Sequence, residues 1–84
     1  MPMETHEIEQ LIANGLSTDM VRVRGDGKHF TAVVVSSEFA QHGRLDRQRL
    51  VFATLKEAMA SNRLHAITLK TYTPDEWQAT EDNA

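Results

Sequence analysis

The chain has 84 residues, enough for one domain with a single hydrophobic core and too few for a second core. Its composition, 40% hydrophobic and 25% charged, is typical of a globular protein. Its formal net charge of −3 argues against a protein whose whole surface is positively charged and binds nucleic acid. Because no apolar run approaches membrane-spanning length and the start does not resemble a signal peptide, we expect a cytoplasmic protein without membrane contact.

The first half of the chain predicts a helix and a β-hairpin. Apolar residues at helical spacing indicate a first helix over residues 4–14, which Gly15 ends. A short strand over 20–24 and a longer, β-branched strand over 30–35 follow. The glycine-rich turn at 25–28 between them favours antiparallel pairing.

The second half predicts helices around one further strand. A short helical turn over 37–41 precedes a helix over 45–61, whose apolar residues form one continuous stripe. A third strand covers 65–72. Thr73 and Glu76 then have the spacing of a capping box, which predicts the start of a final short helix.

The order α-β-β-α-α-β-α predicts an α/β fold of the α+β type with a three-stranded mixed sheet. The connection from strand two to strand three is long enough for a crossover, so the third strand is expected to lie parallel to the second. The domain is predicted over residues 4–77, and the polar tail over 78–84 is expected to be disordered.

The chain contains no cysteine, which excludes disulfides, thiol catalysis, zinc–thiolate sites and a self-sufficient iron–sulfur site. Metal chemistry would therefore use the histidines. His29 and His65 fall at the N-terminal ends of strands two and three, and adjacent strands lie about 4.8 Å apart. If these strands are parallel neighbours, the two imidazoles can reach one metal group; the alternative is two ordinary surface histidines. His6 and His42 fit that alternative better.

Three segments carry a resemblance to a known family. They are residues 21–30, which contain a Gly-Asp-Gly-x-His-Phe turn, residues 34–39, and residues 64–77, which contain His-Ala-(x)5-Tyr-Thr-Pro-x-Glu-Trp. With these segments the chain resembles the BolA family over about residues 8–77, and within it the histidine-loop, IbaG-type subgroup.

The resemblance implies a fold similar to the class II KH domain and a role as a partner of monothiol glutaredoxins. Such a pair shares a bridging 2Fe–2S cluster, with glutathione supplied through the glutaredoxin, in iron–sulfur trafficking or iron homeostasis. The family's C-terminal histidine falls on His65 and its loop histidine on His29, while some members carry a cysteine about where Asp26 stands. The isolated chain is then expected to hold no cofactor and to be a monomer or a weak dimer.

The resemblance also implies an alternative, because family members act as transcriptional regulators. The short helical turn over 37–41, Gly43 and the helix after it resemble a helix-turn-helix, and Arg44, Arg47 and Arg49 could contact DNA phosphates. The same arginines could instead form the solvated face of a helix, which is the interpretation that the sequence favours. A KH-type RNA clamp is not expected, since the chain lacks a Gly-x-x-Gly loop.

Neither catalysis nor an active-site pocket is predicted. The adjacent carboxylates of Asp75 and Glu76 are explained by the start of the last helix, where capping and the helix dipole favour acidic residues. A third hypothesis is a small protein-interaction module that binds no metal.

Overall fold

The computed structural model describes residues 3–26 and 28–82, so Gly27 of the predicted turn lies outside the described residues. In chain order the elements are α1 (Thr5–Gly15), β1 (Met20–Gly25), β2 (His29–Val35), a 3₁₀ helix η1 (Ser37–Gln41), α2 (Arg44–Thr54), α3 (Lys56–Ala60), β3 (Ala66–Tyr72) and α4 (Pro74–Asp82). This arrangement confirms the predicted α+β class. None of the helices in the described part of the chain has the length and apolar character needed to cross a membrane.

The three strands form one mixed sheet in the order β1-β2-β3. β1 pairs with β2 in antiparallel fashion, as the predicted hairpin requires. β2 pairs with β3 in parallel, from His29 opposite Ala66 to Val35 opposite Tyr72. The parallel pairing confirms that η1, α2 and α3 together form a crossover connection between neighbouring strands.

The sheet buries one face against the helices. Along β2, Phe30, Ala32 and Val34 are buried, whereas Thr31 and Val33 between them are half-buried, as expected for side chains that alternate between two faces. The buried face packs with apolar residues of the helices and of the segments that flank them, which are Met3, Ile8, Ile12, Phe39, Val51, Leu55, Ala58 and Leu64. Among the described residues the opposite face has no buried apolar layer, although α4 lies beside part of it. It is called the open face below.

A helix side chain bonds the outer edge of each outer strand. The carboxylate of Glu9 in α1 accepts a hydrogen bond from the backbone N–H of Val23 (2.9 Å), and the Nε2 of Gln48 in α2 donates to the carbonyl oxygen of Leu69 (3.1 Å). These bonds satisfy backbone groups that an edge strand otherwise leaves unpaired. They also fix α1 against β1 and α2 against β3.

The structure corrects the predicted helix over 45–61. It contains two helices, α2 and α3, separated at Leu55, whose φ of −107° and ψ of 4° depart from helical values. The N–H of Leu55 bonds the carbonyl of Phe52 (2.9 Å), the shorter spacing typical of a tightened last turn. No glycine or proline marks the break, which is why the apolar stripe predicts a continuous helix.

The last helix starts as predicted and ends later. The N–H of Thr73 donates to Glu76 Oε1 (2.9 Å), and the N–H of Glu76 donates to the Thr73 hydroxyl (3.2 Å), which confirms the capping box. α4 then continues to Asp82, so the predicted disordered tail is wrong for residues 78–82. Residues 83–84 of that tail lie outside the described residues.

Candidate functional site

The two candidate ligands lie at the same end of the sheet. His29 begins β2 and pairs with Ala66, and His65 directly precedes Ala66. Paired strands lie about 4.8 Å apart and consecutive Cα atoms about 3.8 Å apart, so the two histidine Cα atoms are separated by at most about 9 Å. The backbones of the two residues therefore lie close together, while the meeting of their imidazoles at one metal group and their role as ligands stay predictions.

Both imidazoles are open to an incoming ligand. His29 and His65 are exposed, and neither ring takes part in a hydrogen bond or ion pair with the described residues. The ring nitrogens of a histidine buried in the core are normally hydrogen-bonded to other protein groups. These two side chains are instead free to donate a nitrogen lone pair to a metal.

Asp26 fixes the turn from which His29 emerges. Its carboxylate oxygen Oδ1 accepts hydrogen bonds from the backbone N–H groups of His29 and Lys28, both at 3.0 Å, and its own N–H donates to the carbonyl of His29 (3.3 Å). The first two of these bonds, with that of His29 the stronger, lower the pKa of Asp26 below its ordinary value of 3.8, so the carboxylate is ionised at neutral pH. The sequence did not lead to a prediction that Asp26 holds this turn, although the Asp-Gly pair at 26–27 is a motif typical of such turns.

Gly25 lies beside this turn in a position that tolerates no side chain. A Cβ atom built there would collide with the ring of Phe30 and with the carbonyl oxygen of His29. The backbone of the hairpin can therefore pass close to the start of β2 only because residue 25 is glycine.

The end of α3 determines where His65 lies. Asn62 adopts a left-handed conformation with φ of 62°, and the N–H of Arg63 donates to the carbonyl of Ala58 (3.0 Å), which closes the helix in a Schellman motif. Leu64 then enters the core with 2% of its surface exposed. This anchor leaves His65 exposed at the entrance to β3.

Two imidazoles form only part of a metal site. Within residues 3–26 and 28–82, no group of three or more histidine, aspartate or glutamate side chains is placed to hold a metal ion. Iron–sulfur clusters and tetrahedral metals take four protein ligands. The remaining ligands for a group held by His29 and His65 would have to come from another molecule.

Arg47, one of the candidate phosphate contacts, is engaged within the fold. Its Nε donates to the carbonyl oxygens of Phe39 (3.1 Å) and His42 (3.0 Å), and its terminal nitrogens donate to the carboxylate of Glu76 at 2.6 and 3.3 Å. Only 14% of its side chain is exposed. A phosphate contact would require the guanidinium to leave these partners, so the structure gives Arg47 a scaffolding role that the sequence did not reveal.

The other two arginines of the predicted DNA-binding surface face solvent. The side chain of Arg49 is 72% exposed and lies 3.9 Å from Asp46. Arg44 is exposed and lines a groove of about 380 Å³ between α2 and the free edge of β3. Leu45 lies between them in sequence and is a large apolar side chain that is 63% exposed.

The ion pair between Arg47 and Glu76 predicts a pH dependence of stability. The guanidinium of Arg47, and after it the N–H of Thr73, hold the pKa of Glu76 below its ordinary value of 4.5. A carboxyl group whose pKa is lower in the folded state stabilises the fold above its unfolded pKa and loses that effect as pH falls through its folded pKa.

We therefore expect the free energy of unfolding of the wild type to fall relative to that of Glu76→Gln when the pH is lowered from about 7 to about 3. Most of this fall should occur below about pH 4.5, where the Glu76 carboxylate becomes protonated. Chemical denaturation at several pH values measures this difference. The glutamine retains the capping geometry, so a difference that does not change with pH would contradict the ion pair.

Comparisons with known proteins agree with the sequence resemblance. A family model described as BolA-like protein matches residues 4–76. The chain is 43% identical over 75 residues to the acid stress protein IbaG of Escherichia coli strain K12, a match that covers 89% of each chain. It is 40% identical over 58 residues to the DNA-binding transcriptional regulator BolA of the same strain, covering 69% of this chain and 54% of that protein.

A solved structure gives the same result for the fold. A bolA protein homologue from Coxiella burnetii superposes with a TM-score of 0.78 at 47% sequence identity. The superposition covers 90% of this chain and 97% of that one. The similarity therefore extends over most of the length of both chains.

Proposed function

Since the chain belongs to the BolA family, we propose that it is a cytoplasmic, non-catalytic partner of a monothiol glutaredoxin, with which it shares a bridging 2Fe–2S cluster in iron–sulfur trafficking or iron homeostasis. The observation that carries the proposal is the position of His29 and His65 at one end of the sheet, both exposed and with no hydrogen bond from either ring to the residues that the structure describes. Two relatives of the chain are an acid stress protein and a DNA-binding transcriptional regulator.

The ligand set of the chain fits a shared cluster. The chain has no cysteine, so it can contribute nitrogen ligands and no thiolates. Under the proposal, His65 and His29 supply imidazole nitrogens, and the glutaredoxin and its glutathione supply thiolates. Mixed histidine and cysteine ligation is known for 2Fe–2S clusters and raises their reduction potential. The role of Asp26 is then to hold the loop that carries His29 in a fixed conformation.

Co-expression tests this proposal directly. The full chain is expressed with a monothiol glutaredoxin, purified without oxygen, and analysed by size exclusion with visible absorption and circular dichroism. We expect a coloured heterodimer whose visible spectrum differs from that of the glutaredoxin homodimer. Failure to form a complex, or a spectrum identical to that of the homodimer, would contradict the proposal. The chain expressed alone is the control and is expected to be colourless.

A second candidate function is DNA binding by the surface of η1 and α2. It is supported by the similarity to the E. coli regulator BolA and by the exposure of Arg44 and Arg49. If both arginines contact phosphates, the double variant Arg44→Ala/Arg49→Ala should lower the salt dependence of binding to duplex DNA by about 1.8 in the slope of log K against log salt. An unchanged slope, or no binding at low ionic strength, would exclude this surface.

A further inference from the structure

The open face of the sheet contains a groove that neither proposed function uses. Its volume is about 350 Å³, within the range of small-ligand sites. Residues of all three strands and of α4 line it, namely Arg22, Arg24, Thr31, Val33, Lys70, Tyr72, Trp77 and Thr80. The groove lies between the sheet and α4, on the face opposite the core.

Three cations line this groove. Arg22 pairs with Val33, and Val33 pairs with Lys70, so Arg22 and Lys70 lie in one row across the sheet. Arg24 lies two residues further along β1 on the same face, about 7 Å from Arg22. All three cations are exposed. The strand register therefore gathers three positive charges on one surface of a chain whose formal net charge is −3.

These three cations form no ion pair with the described side chains. The four ion pairs of the described residues link His6 to Glu4, Arg47 to Glu76, Arg49 to Asp46 and Arg63 to Glu7. Like charges on one sheet face repel each other, so the cluster does not stabilise the fold. It does create a local positive potential that attracts an anionic partner.

An aromatic pair forms one wall of the groove. The ring centroids of Tyr72 and Trp77 are 5.4 Å apart, with the ring planes inclined by 56°. Both side chains are half-buried, so each ring is held in place by the fold and still lines the groove. The hydroxyl groups of Thr31 and Thr80 add hydrogen-bonding groups beside the rings.

We propose that this groove binds single-stranded nucleic acid. The cations contact the phosphates, and a base stacks against the aromatic wall, the two interactions by which single strands are held without sequence preference. An acidic peptide would satisfy the cations but leave the aromatic wall without a planar partner. The groove differs from the α2 surface in position and in substrate. Stacking on its half-buried rings requires unpaired bases, whereas α2 would bind a duplex.

Trp77 provides a local signal for the test, since it is the only tryptophan of the chain. We expect its fluorescence to be quenched in a saturable way when the full protein is titrated with a uridylate oligonucleotide of about 12 nucleotides, at about 50 mM salt. A self-complementary duplex of similar length should bind at least about 10-fold more weakly, because its bases are already stacked and paired.

Two matched double variants test the location. Arg22→Ala/Arg24→Ala should weaken oligonucleotide binding at least about 10-fold and lower the salt slope by about 1.4, the effect of two phosphate contacts on a single strand. Lys56→Ala/Arg63→Ala removes the same charge at the start of α3 and in the turn after it, outside both proposed nucleic-acid surfaces, and should leave the affinity within about twofold of wild type. Circular dichroism confirms that both variants are folded, which is expected because all four side chains are exposed.

Four results with macromolecular probes would each overturn the proposal, and a fifth concerns a free nucleotide. The four are the absence of saturable quenching, equal losses in the two double variants, binding of the duplex as tight as or tighter than that of the single strand, and equal quenching by a polyglutamate peptide. Free uridine monophosphate is the remaining probe. If it binds as tightly as the oligonucleotide, the groove is a nucleotide pocket and the single-strand proposal is wrong.

Discussion

Replacing His65 with alanine is expected to abolish or reshape the visible spectrum of the complex with a monothiol glutaredoxin. The imidazole of His65 is exposed and forms no hydrogen bond within the described residues, so its removal takes away the proposed ligand and leaves the fold intact. Substitutions at exposed positions of this kind usually change stability by less than about 0.5 kcal/mol. A change in the spectrum would therefore report ligation rather than unfolding.

His29→Ala is expected to give a milder change than His65→Ala. The loop position is the more variable one in the resemblance, since other family members place a cysteine near it. The iron content per heterodimer, the visible circular dichroism and the rate of cluster loss in air measure the difference. The double variant should lose the heterodimer spectrum completely, because no nitrogen ligand from this chain then remains at that end of the sheet.

Two further variants serve as controls. His6 is also an exposed histidine, with 64% of its side chain accessible, but it lies in the first turn of α1. His6→Ala should leave the spectrum unchanged. His65→Cys should retain a cluster with a shifted spectrum, because a thiolate is itself an iron ligand. An unaltered spectrum in His65→Ala would refute the assignment of that residue as a ligand.

The sequence predicted the histidine pair because its position follows from topology. The glycine turn indicates a hairpin, the long helical connection indicates a crossover, and together they place His29 and His65 at one end of two parallel strands. The hairpin and the crossover can each be predicted from local sequence patterns, namely the turn residues and the helical or strand spacing of the apolar residues. The topology therefore brings the two residues to one end of the sheet although 36 positions separate them in the chain, and their joint use as ligands stays a prediction.

Contacts between distant elements could not be predicted in this way. The sequence identified Glu76 as a capping residue, which it is, but its second partner Arg47 lies on α2, 29 positions earlier. Similarly, the alternation of Arg22 and Arg24 with valines predicts a charged face, but the addition of Lys70 to that face depends on the register of β3. The break falls at Leu55, a fully buried residue, and no glycine or proline in the sequence marks it.

Arg47→Ala is expected to destabilise the fold by about 2–4 kcal/mol. The substitution removes the donor for two backbone carbonyls and for the carboxylate of Glu76, and hydrogen bonds to charged groups contribute about 1.5–3 kcal/mol each. It also removes the cation from above the ring of Phe39, where the guanidinium carbon lies 5.8 Å from the ring centroid. Domains of this length have about 4–13 kcal/mol of stability, so the loss is a large fraction of the total.

Urea denaturation and thermal unfolding measure this effect, which corresponds to a fall in Tm of about 10–20 °C. Arg49→Ala removes the same residue type from the same helix at an exposed position and should change stability by less than about 0.5 kcal/mol. Arg47→Lys keeps the positive charge but lacks the planar fork that reaches both Phe39 and Glu76, so it should recover little of the loss. Recovery of most of the stability by lysine would mean that charge alone, and not the directed hydrogen bonds, holds the side chain.

The same variants separate the scaffolding role of Arg47 from a role in DNA binding. A double-mutant cycle with Glu76→Ala should give a coupling energy of about 1 kcal/mol, because the pair is partly exposed to solvent and screened by it. At a temperature at which Arg47→Ala is still folded, its salt slope for duplex DNA should equal that of the wild type, since a guanidinium bonded to Phe39, His42 and Glu76 releases no counterion from DNA. A reduced salt slope in the folded variant would show that Arg47 leaves these partners to bind phosphate. Arg47 would then belong to the DNA-binding surface.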